Sequence, residues 1–232
     1  MPKPISVAIL TPTTGICQMA YAQSLAHLVA YWSQVQVFDG IPTQNLVTDS
    51  VAGSGIAENY MHMVTTHLED TEIHWTHFLS IEDDMGFPPD GLHTLLRREL
   101  PIVGANYSTN KGTNLRFTAV GLDGPALTTA ESTGVEEVSL LPQGFTLIAR
   151  EVYEAIPKPW FLTGWNPKAN RTVYQDYYFS EQAKKHGFKM YVDHDVSKRV
   201  YHVGPHNYTY EDALAHEQAL LKQKQEPVPA GA

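Results

Sequence analysis

Short apolar runs alternate along this chain with stretches whose apolar residues recur at helical spacing. Ser6-Val7-Ala8-Ile9-Leu10 has the length and composition of a buried strand, and Thr11-Pro12-Thr13-Thr14-Gly15 stops it. Helical spacing follows over residues 18–32, where Cys17 counts as a small apolar helix residue. A second strand is expected at 34–38, closed by Asp39-Gly40. Residues 49–55 read as a loop, 56–68 as a helix, and 71–79 lead into a third strand. This β-α-β-α-β order predicts a parallel sheet with right-handed crossovers.

The same reading places a helix at 91–99, with Arg97 and Arg98 in a solvated last turn, and a strand at 101–105. Residues 106–142 are weakly patterned, with one strand-like run at 115–120. A strand at 144–149, a short helix at 150–156 and a loop at 162–173 come next. A helix from Asp176 to His186, strands at 187–192 and 200–204 and a polar helix at 210–225 complete the pattern, with 226–232 a frayed tail. No repeat or linker interrupts it, so residues 1–225 are expected to form one domain.

One apolar run ends in chemistry. His77-Phe78-Leu79-Ser80-Ile81 is followed directly by Glu82-Asp83-Asp84, then by Met85-Gly86-Phe87-Pro88-Pro89-Asp90. Three adjacent carboxylates repel one another unless a cation compensates, and the C-terminal edge of strands is where α/β sheets bind ligands. Alternation puts Glu82 and Asp84 on one side and Asp83 on the other, so Glu82 and Asp84 are the pair for one hard divalent ion, Mn²⁺ or Mg²⁺. The bland alternative is a solvated acidic turn.

Charge distribution favours the metal. The chain of 232 residues carries a net −9, and residues 1–96 hold ten acids against one base, Lys3. Such a half accommodates a phosphate-bearing ligand only through a cation or backbone N–H groups. By position, Thr11, Pro12 and Thr13 form a ligand edge, and Asp39 is placed to meet a base or ribose. The single cysteine excludes an intramolecular disulfide, and no long apolar segment predicts a membrane span. A cytoplasmic protein is expected.

Three segments resemble the GT-A fold glycosyltransferases, the nucleotide-diphospho-sugar transferases. They are Phe78-Leu79-Ser80-Ile81-Glu82-Asp83-Asp84 with the Pro88-Pro89 helix start; Gly144-Phe145-Thr146-Leu147-Ile148-Ala149; and Gln175-Asp176-Tyr177-Tyr178-Phe179 continuing through Gly187-Phe188 to His202-Val203-Gly204. The resemblance implies a single-domain α/β, Rossmann-like fold with a mostly parallel central sheet flanked by helices. It assigns residues 1–105 to a nucleotide-sugar half, 106–206 to an acceptor half and 207–225 to a terminal helix. It implies Asp84, Glu82 and His202 as metal ligands, Asp83 toward the ribose or sugar, Asn59 toward the nucleobase, Gly144 beside the acceptor, and Asp176 as the catalytic carboxylate of the acceptor side, a general base in an inverting reaction or a positioning and stabilising group in a retaining one. The donor implied is a UDP-sugar. Gln175 departs from the Glu common at its position, and Glu58 from the Arg that precedes Asn in relatives.

Most basic residues lie in the second half. Lys111, Arg116, Lys168, Arg171, Lys198 and Arg199 interleave there with Tyr107, Trp160, Trp165 and Tyr174, a composition that suits either a nucleic-acid backbone or a sugar cleft. Lys111, Arg116 and Trp165 are the acceptor candidates. The chain also resembles small bacteriophage glycosyltransferases that modify hydroxymethylated pyrimidines, which implies 5-hydroxymethylcytosine in DNA as acceptor and a phage-encoded protein in host cytoplasm. A saccharide or other small acceptor is the alternative. A nucleotidyltransferase and a non-catalytic nucleotide-sugar-binding module are the competing classes; the missing Gly-rich basic loop after Leu10 argues against the former.

Overall fold

The computed structural model describes residues 4–109, 115–167, 170–204 and 206–225. Strand β1 (Ile5–Thr13) turns into helix α1 (Met19–Gln34), and a two-residue strand β2 (Val37–Phe38) makes a hairpin with β3 (Ile41–Ala52). Helix α2 (Ile56–Leu68) leads to β4 (His77–Ile81), β5 (Met85–Gly86), α3 (Gly91–Leu96) and β6 (Ile102–Gly104). Strands β7 (Val120–Gly121), β8 (Val135–Leu140) and β9 (Phe145–Ala149) precede α4 (Arg150–Ala155). A small hairpin, β10 (Gly164–Asn166) with β11 (Arg171–Val173), runs into α5 (Gln175–Lys185). Strand β12 (Met190–Asp193), α6 (His194–Ser197), β13 (Tyr201–Val203), β14 (Asn207–Tyr208) and α7 (Tyr210–Gln225) finish the described chain. The tail 226–232 lies outside the described residues.

Nine strands form the main sheet in the order β2-β3-β1-β4-β9-β6-β12-β8-β7. Following the pairings across it, β1, β3, β4, β6, β7 and β12 run one way and β2, β8 and β9 the other, so the sheet is mostly parallel in strand direction. Alternation along β1 and β4 feeds two apolar layers. Ala8, Leu10 and Phe78 pack with Tyr60, Met63 and Val64 of α2 on one face. On the other, Val7, Ile9, Leu79 and Ile81 pack with Tyr21, Leu28 and Trp32 of α1. Burying one such aliphatic or aromatic side chain contributes about 1.5–3 kcal/mol, so each face closes under its own helix.

Four expectations need correction. The strand beside β1 is β3, not 34–38, and it extends to Ala52, so the following loop is confined to 53–55. Its alternate positions are exposed, and a half-exposed polar strand lacks the apolar run by which buried strands are recognised. Strand β9 inserts antiparallel between β4 and β6, because an apolar run carries no information about direction. Arg98 is not a solvated end. Its Nε and Nη2 bond to Asp193 and Asp195 at 2.6 and 2.7 Å, compensating the fully buried Asp193. Cys17 lies exposed in the loop before α1.

Candidate metal centre

The C-terminal end of β4 delivers Glu82, Asp83 and Asp84 into a turn whose backbone is tied on three sides. Glu82 N–H donates to the Gly144 carbonyl (3.3 Å), Gln18 N–H to that of Asp83 (2.9 Å) and Val203 N–H to that of Asp84 (2.7 Å). The first bond joins the acids to the head of β9, the second to the start of α1 and the third to β13. Immediately after the turn, β5 pairs antiparallel with β13, setting His202 opposite Met85. That pairing is why residues 118 apart in sequence meet: His202 Nε2 lies 2.9 Å from Asp84 Oδ2. Gly86 fits here because the Tyr201 ring lies where its Cβ would stand.

Glu82, Asp84 and His202 each offer one ligand atom, all within 4.8 Å of one another and all half-buried. Two carboxylate oxygens and an imidazole suit Mn²⁺ and are acceptable to Mg²⁺. His202 Nδ1 is 3.0 Å from the Ser108 carbonyl, so its N–H donates there and Nε2 is left for a cation, the arrangement usual for metal-bound histidines. The donor set therefore fits one divalent ion.

Electrostatics in this corner reflect crowded acid. Burial, then Asp84, pushes Glu82 up to about 7; His202 pulls it down, and Asp176 and Asp83 add to the rise. Burial disfavours charging His202, but the hydrogen bond to Asp84 and the charges of Asp84 and Glu82 outweigh it, and the ring protonates above its ordinary range. Asp176, in the first turn of α5, is within electrostatic reach of Glu82, and burial raises its carboxyl against the opposing bond from Tyr177 N–H (2.7 Å).

No family model matches this sequence, and no curated protein matches it. Among solved structures, A197 from STIV aligns over 86% of this chain and 86% of its own, at 17% identity and TM-score 0.57. The two share a fold. A nucleoside-diphosphate-sugar pyrophosphorylase from Vibrio cholerae RC9 aligns over 94% of this chain and 100% of its own at 13% identity, but its TM-score of 0.45 is too low to bear on function.

The remaining expected residues divide. Thr11 is buried at the end of β1 with its hydroxyl 2.6 Å from that of Tyr21, Pro12 is buried beside it, and Thr13 accepts from Gly15 N–H, all on the same sheet edge as the acids. Asn59 is buried on α2, and its amide clamps the loop after β3 by donating to Val51 and Ser54 carbonyls (3.0 and 3.5 Å). Asp39 lies at the opposite end of the sheet. It takes the corner of the β2–β3 hairpin at φ 47°, followed by Gly40 at 83°, the left-handed pair such a turn requires, and it faces Arg97 Nε at 3.6 Å. The strand-ending Asp-Gly is a turn, and no contact with a ligand at the acid edge is open to Asp39.

On the acceptor side, Trp165 is 62% exposed on the β10–β11 hairpin, which leads through exposed Tyr174 to Asp176. Arg116 sits opposite Thr109, one residue from the Ser108 that orients His202. Gly144 is buried behind Glu82 and takes glycine because a Cβ would overlap the Tyr107 hydroxyl. Trp160 is in the core, its indole N–H donating to the Ile156 carbonyl, and Lys198 and Arg199 bond to the Ser132 carbonyl and the Asp90 carboxylate. Lys111 and Lys168 lie outside the described residues.

Tyr107, grouped by sequence with the acceptor-side aromatics, is instead a buried brace of the acid cluster. Only 3% exposed, it accepts from Gly144 N–H through its hydroxyl (2.9 Å) and sets its ring edge against His202 at 5.6 Å. It braces both sides of the cluster from a segment with no periodicity to mark it.

Proposed function

We propose that this chain is a metal-dependent glycosyltransferase that moves a hexose from a nucleotide-diphosphate sugar, a UDP-sugar in the first instance, to an acceptor hydroxyl. The observation that carries the reading is the convergence of Glu82, Asp84 and His202 on one point, with the half-buried carboxyl of Asp176 acting on the same cluster. A divalent ion held by the three ligands supplies positive charge against the diphosphate as it leaves. Ser108 fixes the tautomer of His202, and Tyr107 fixes its ring.

Asp176 is the proton acceptor in this reading. Burial raises its carboxyl above the ordinary carboxylate range, which makes it a stronger base. The acceptor oxygen forms its bond to the anomeric carbon as the bond from that carbon to the diphosphate oxygen breaks; the hydroxyl proton passes to Asp176 and the electron pair leaves with the nucleoside diphosphate. The exposed Trp165 and Tyr174, on the hairpin and connection that lead into α5, offer flat apolar faces for a pyranose or a base. A hydroxymethylated cytosine in DNA is the acceptor we put first, and a saccharide hydroxyl the second.

Thermal unfolding with a panel of nucleotide sugars tests the donor site, because a bound ligand raises the melting temperature. A rise with a UDP-sugar that requires Mn²⁺ and is lost in Asp84→Ala is expected. A metal-independent rise, or none with any nucleotide sugar, overturns the reading. Mass measurement of hydroxymethylcytosine-containing DNA and of oligosaccharides after incubation with the donor then distinguishes the two acceptors.

A further inference from the structure

At the other end of the sheet a cavity of about 500 Å³ opens between β2, α3 and the start of α4, within the range of small-molecule sites. It is separate from the metal centre. His77, the first residue of β4, lines it, whereas the acids follow the last, and four residue steps of strand span roughly 13 Å. Its floor is apolar, made by the buried side chains of Ile5, Phe38 and Leu96 with Ile41 and Leu100 beside them.

The rim is acidic. Asp39, Glu99, Glu151 and Glu154 line the cavity with one guanidinium, Arg150, and two histidines, His74 and His77. Arg150 is spent on Glu154, at 2.6 Å, and on the Leu68 carbonyl. Arg97 answers Asp39. Among the described residues no cation lies within ion-pair distance of Glu99 or Glu151, which reach the cavity from two different elements, the α3–β6 connection and the first turn of α4. Burial holds the His77 ring neutral down to about pH 4, so this histidine adds no positive charge near neutrality.

We propose that this cavity is a binding site for a small organic cation with a flat apolar body, an aryl amidine or arylammonium. The hydrocarbon face covers Ile5, Phe38 and Leu96 while the cationic head lies between Glu99 and Glu151. Neither part of the lining selects such a ligand alone: the floor favours any apolar ring, and the unbalanced rim decides its charge. The site does not depend on the glycosyltransferase reading.

Benzamidinium, benzamide and benzoate share one shape and differ in charge, so titrating each into the ¹⁵N-labelled chain and following backbone amide shifts tests the proposal directly. Benzamidinium is expected to shift the amides of Ile5, Phe38 and Leu96, benzamide to bind more weakly and benzoate not at all. Replacing Glu99 and Glu151 together by Gln should weaken benzamidinium about tenfold, the upper range for two exposed ion pairs, while leaving benzamide unchanged; the unchanged neutral probe shows that the cavity is intact. Asp84→Ala should bind benzamidinium as the parent does. Equal affinity for benzamidinium and benzamide, shifts confined to residues 82–84, or the absence of saturable shifts with any of the three overturns the proposal.

Discussion

The two ends of β4 are five residues apart in sequence and opposite in what burial does to them. At the first, His77 is desolvated and simply stays neutral, its pKa lowered to about 4, with its ring nitrogen against the Thr76 hydroxyl at 2.9 Å. At the last, Glu82 is desolvated among other acids and rises to about 7. A lone imidazole escapes the cost of burial by giving up a proton. A carboxylate beside Asp84, Asp83 and Asp176 holds its proton to higher pH instead, and in the proposed function a metal would take that proton's place. Burial therefore leaves a neutral imidazole at one end of the strand and a crowded, proton-holding carboxyl at the other.

The sharpest way to break this contrast is to remove the ligand that His202 touches. Asp84→Ala should weaken Mn²⁺ binding by more than about 100-fold, beyond the range seen for residues that only support a ligand. Titration calorimetry checks it, and affinity within a few-fold of the parent removes the metal centre. His77→Gln at the opposite end should leave that affinity unchanged. Next in size, Asp176→Asn is expected to lower kcat by roughly 10²–10⁴ while a UDP-sugar still binds. Equal losses in turnover and donor affinity would instead make Asp176 a donor-binding group.

A smaller effect tests whether the acid end is held in place. Tyr107→Phe removes only the hydroxyl that accepts from Gly144 N–H, leaving the ring against His202. Outer partners of metal ligands typically contribute 10–100-fold in affinity, and with the ring retained we expect the lower figure, about tenfold in the Mn²⁺ dissociation constant. Ser108→Ala keeps the carbonyl that accepts from His202 and should bind Mn²⁺ normally. Equal loss in both variants would point to general loosening of the segment rather than to the Tyr107 hydroxyl.

How much of this was open to sequence reading depended on how each residue is held. The acid end of β4 was legible because an apolar run and a charge cluster abut, and chain order alone placed β1, α1, α2 and β4. The partner of the acids was not legible from pattern. His202 reaches Asp84 through the pairing of a two-residue strand with a three-residue one, too short for any period, and only the family likeness pointed to it. Asp39 failed for the converse reason. Asp-Gly at a strand end is more often a turn than a ligand edge, and the choice lies in the direction of β3, whose alternating polar residues hid it. Tyr107 and the buried Trp160 show a third case, in which an aromatic residue in a loop looks identical whether it faces solvent or fills a core.

The gentlest test sets the two ends against each other by pH. The folded His77 has a pKa below its unfolded value of about 6.5, so its contribution to stability is complete above that pH and is lost as pH falls toward about 4. Glu82 in the folded, metal-free chain has a pKa above its unfolded value, so its protonated form is the stabilised one: stability is greatest at low pH and declines as pH rises from about 4.5 through about 7. His202, also raised, has the same sign. Between pH 4.5 and 6.5 the two ends oppose each other, and thermal unfolding in a chelator should give a shallow profile. Saturating Mn²⁺ requires deprotonated ligands, so the stabilisation it gives should shrink as pH falls below about 7 and the profile should steepen. His77→Gln should remove the acid-side loss at His77 in both conditions without changing the difference that Mn²⁺ makes. Profiles that stay parallel with and without Mn²⁺ would mean that the acid end of β4 exchanges no protons for metal, and the contrast along the strand would fail.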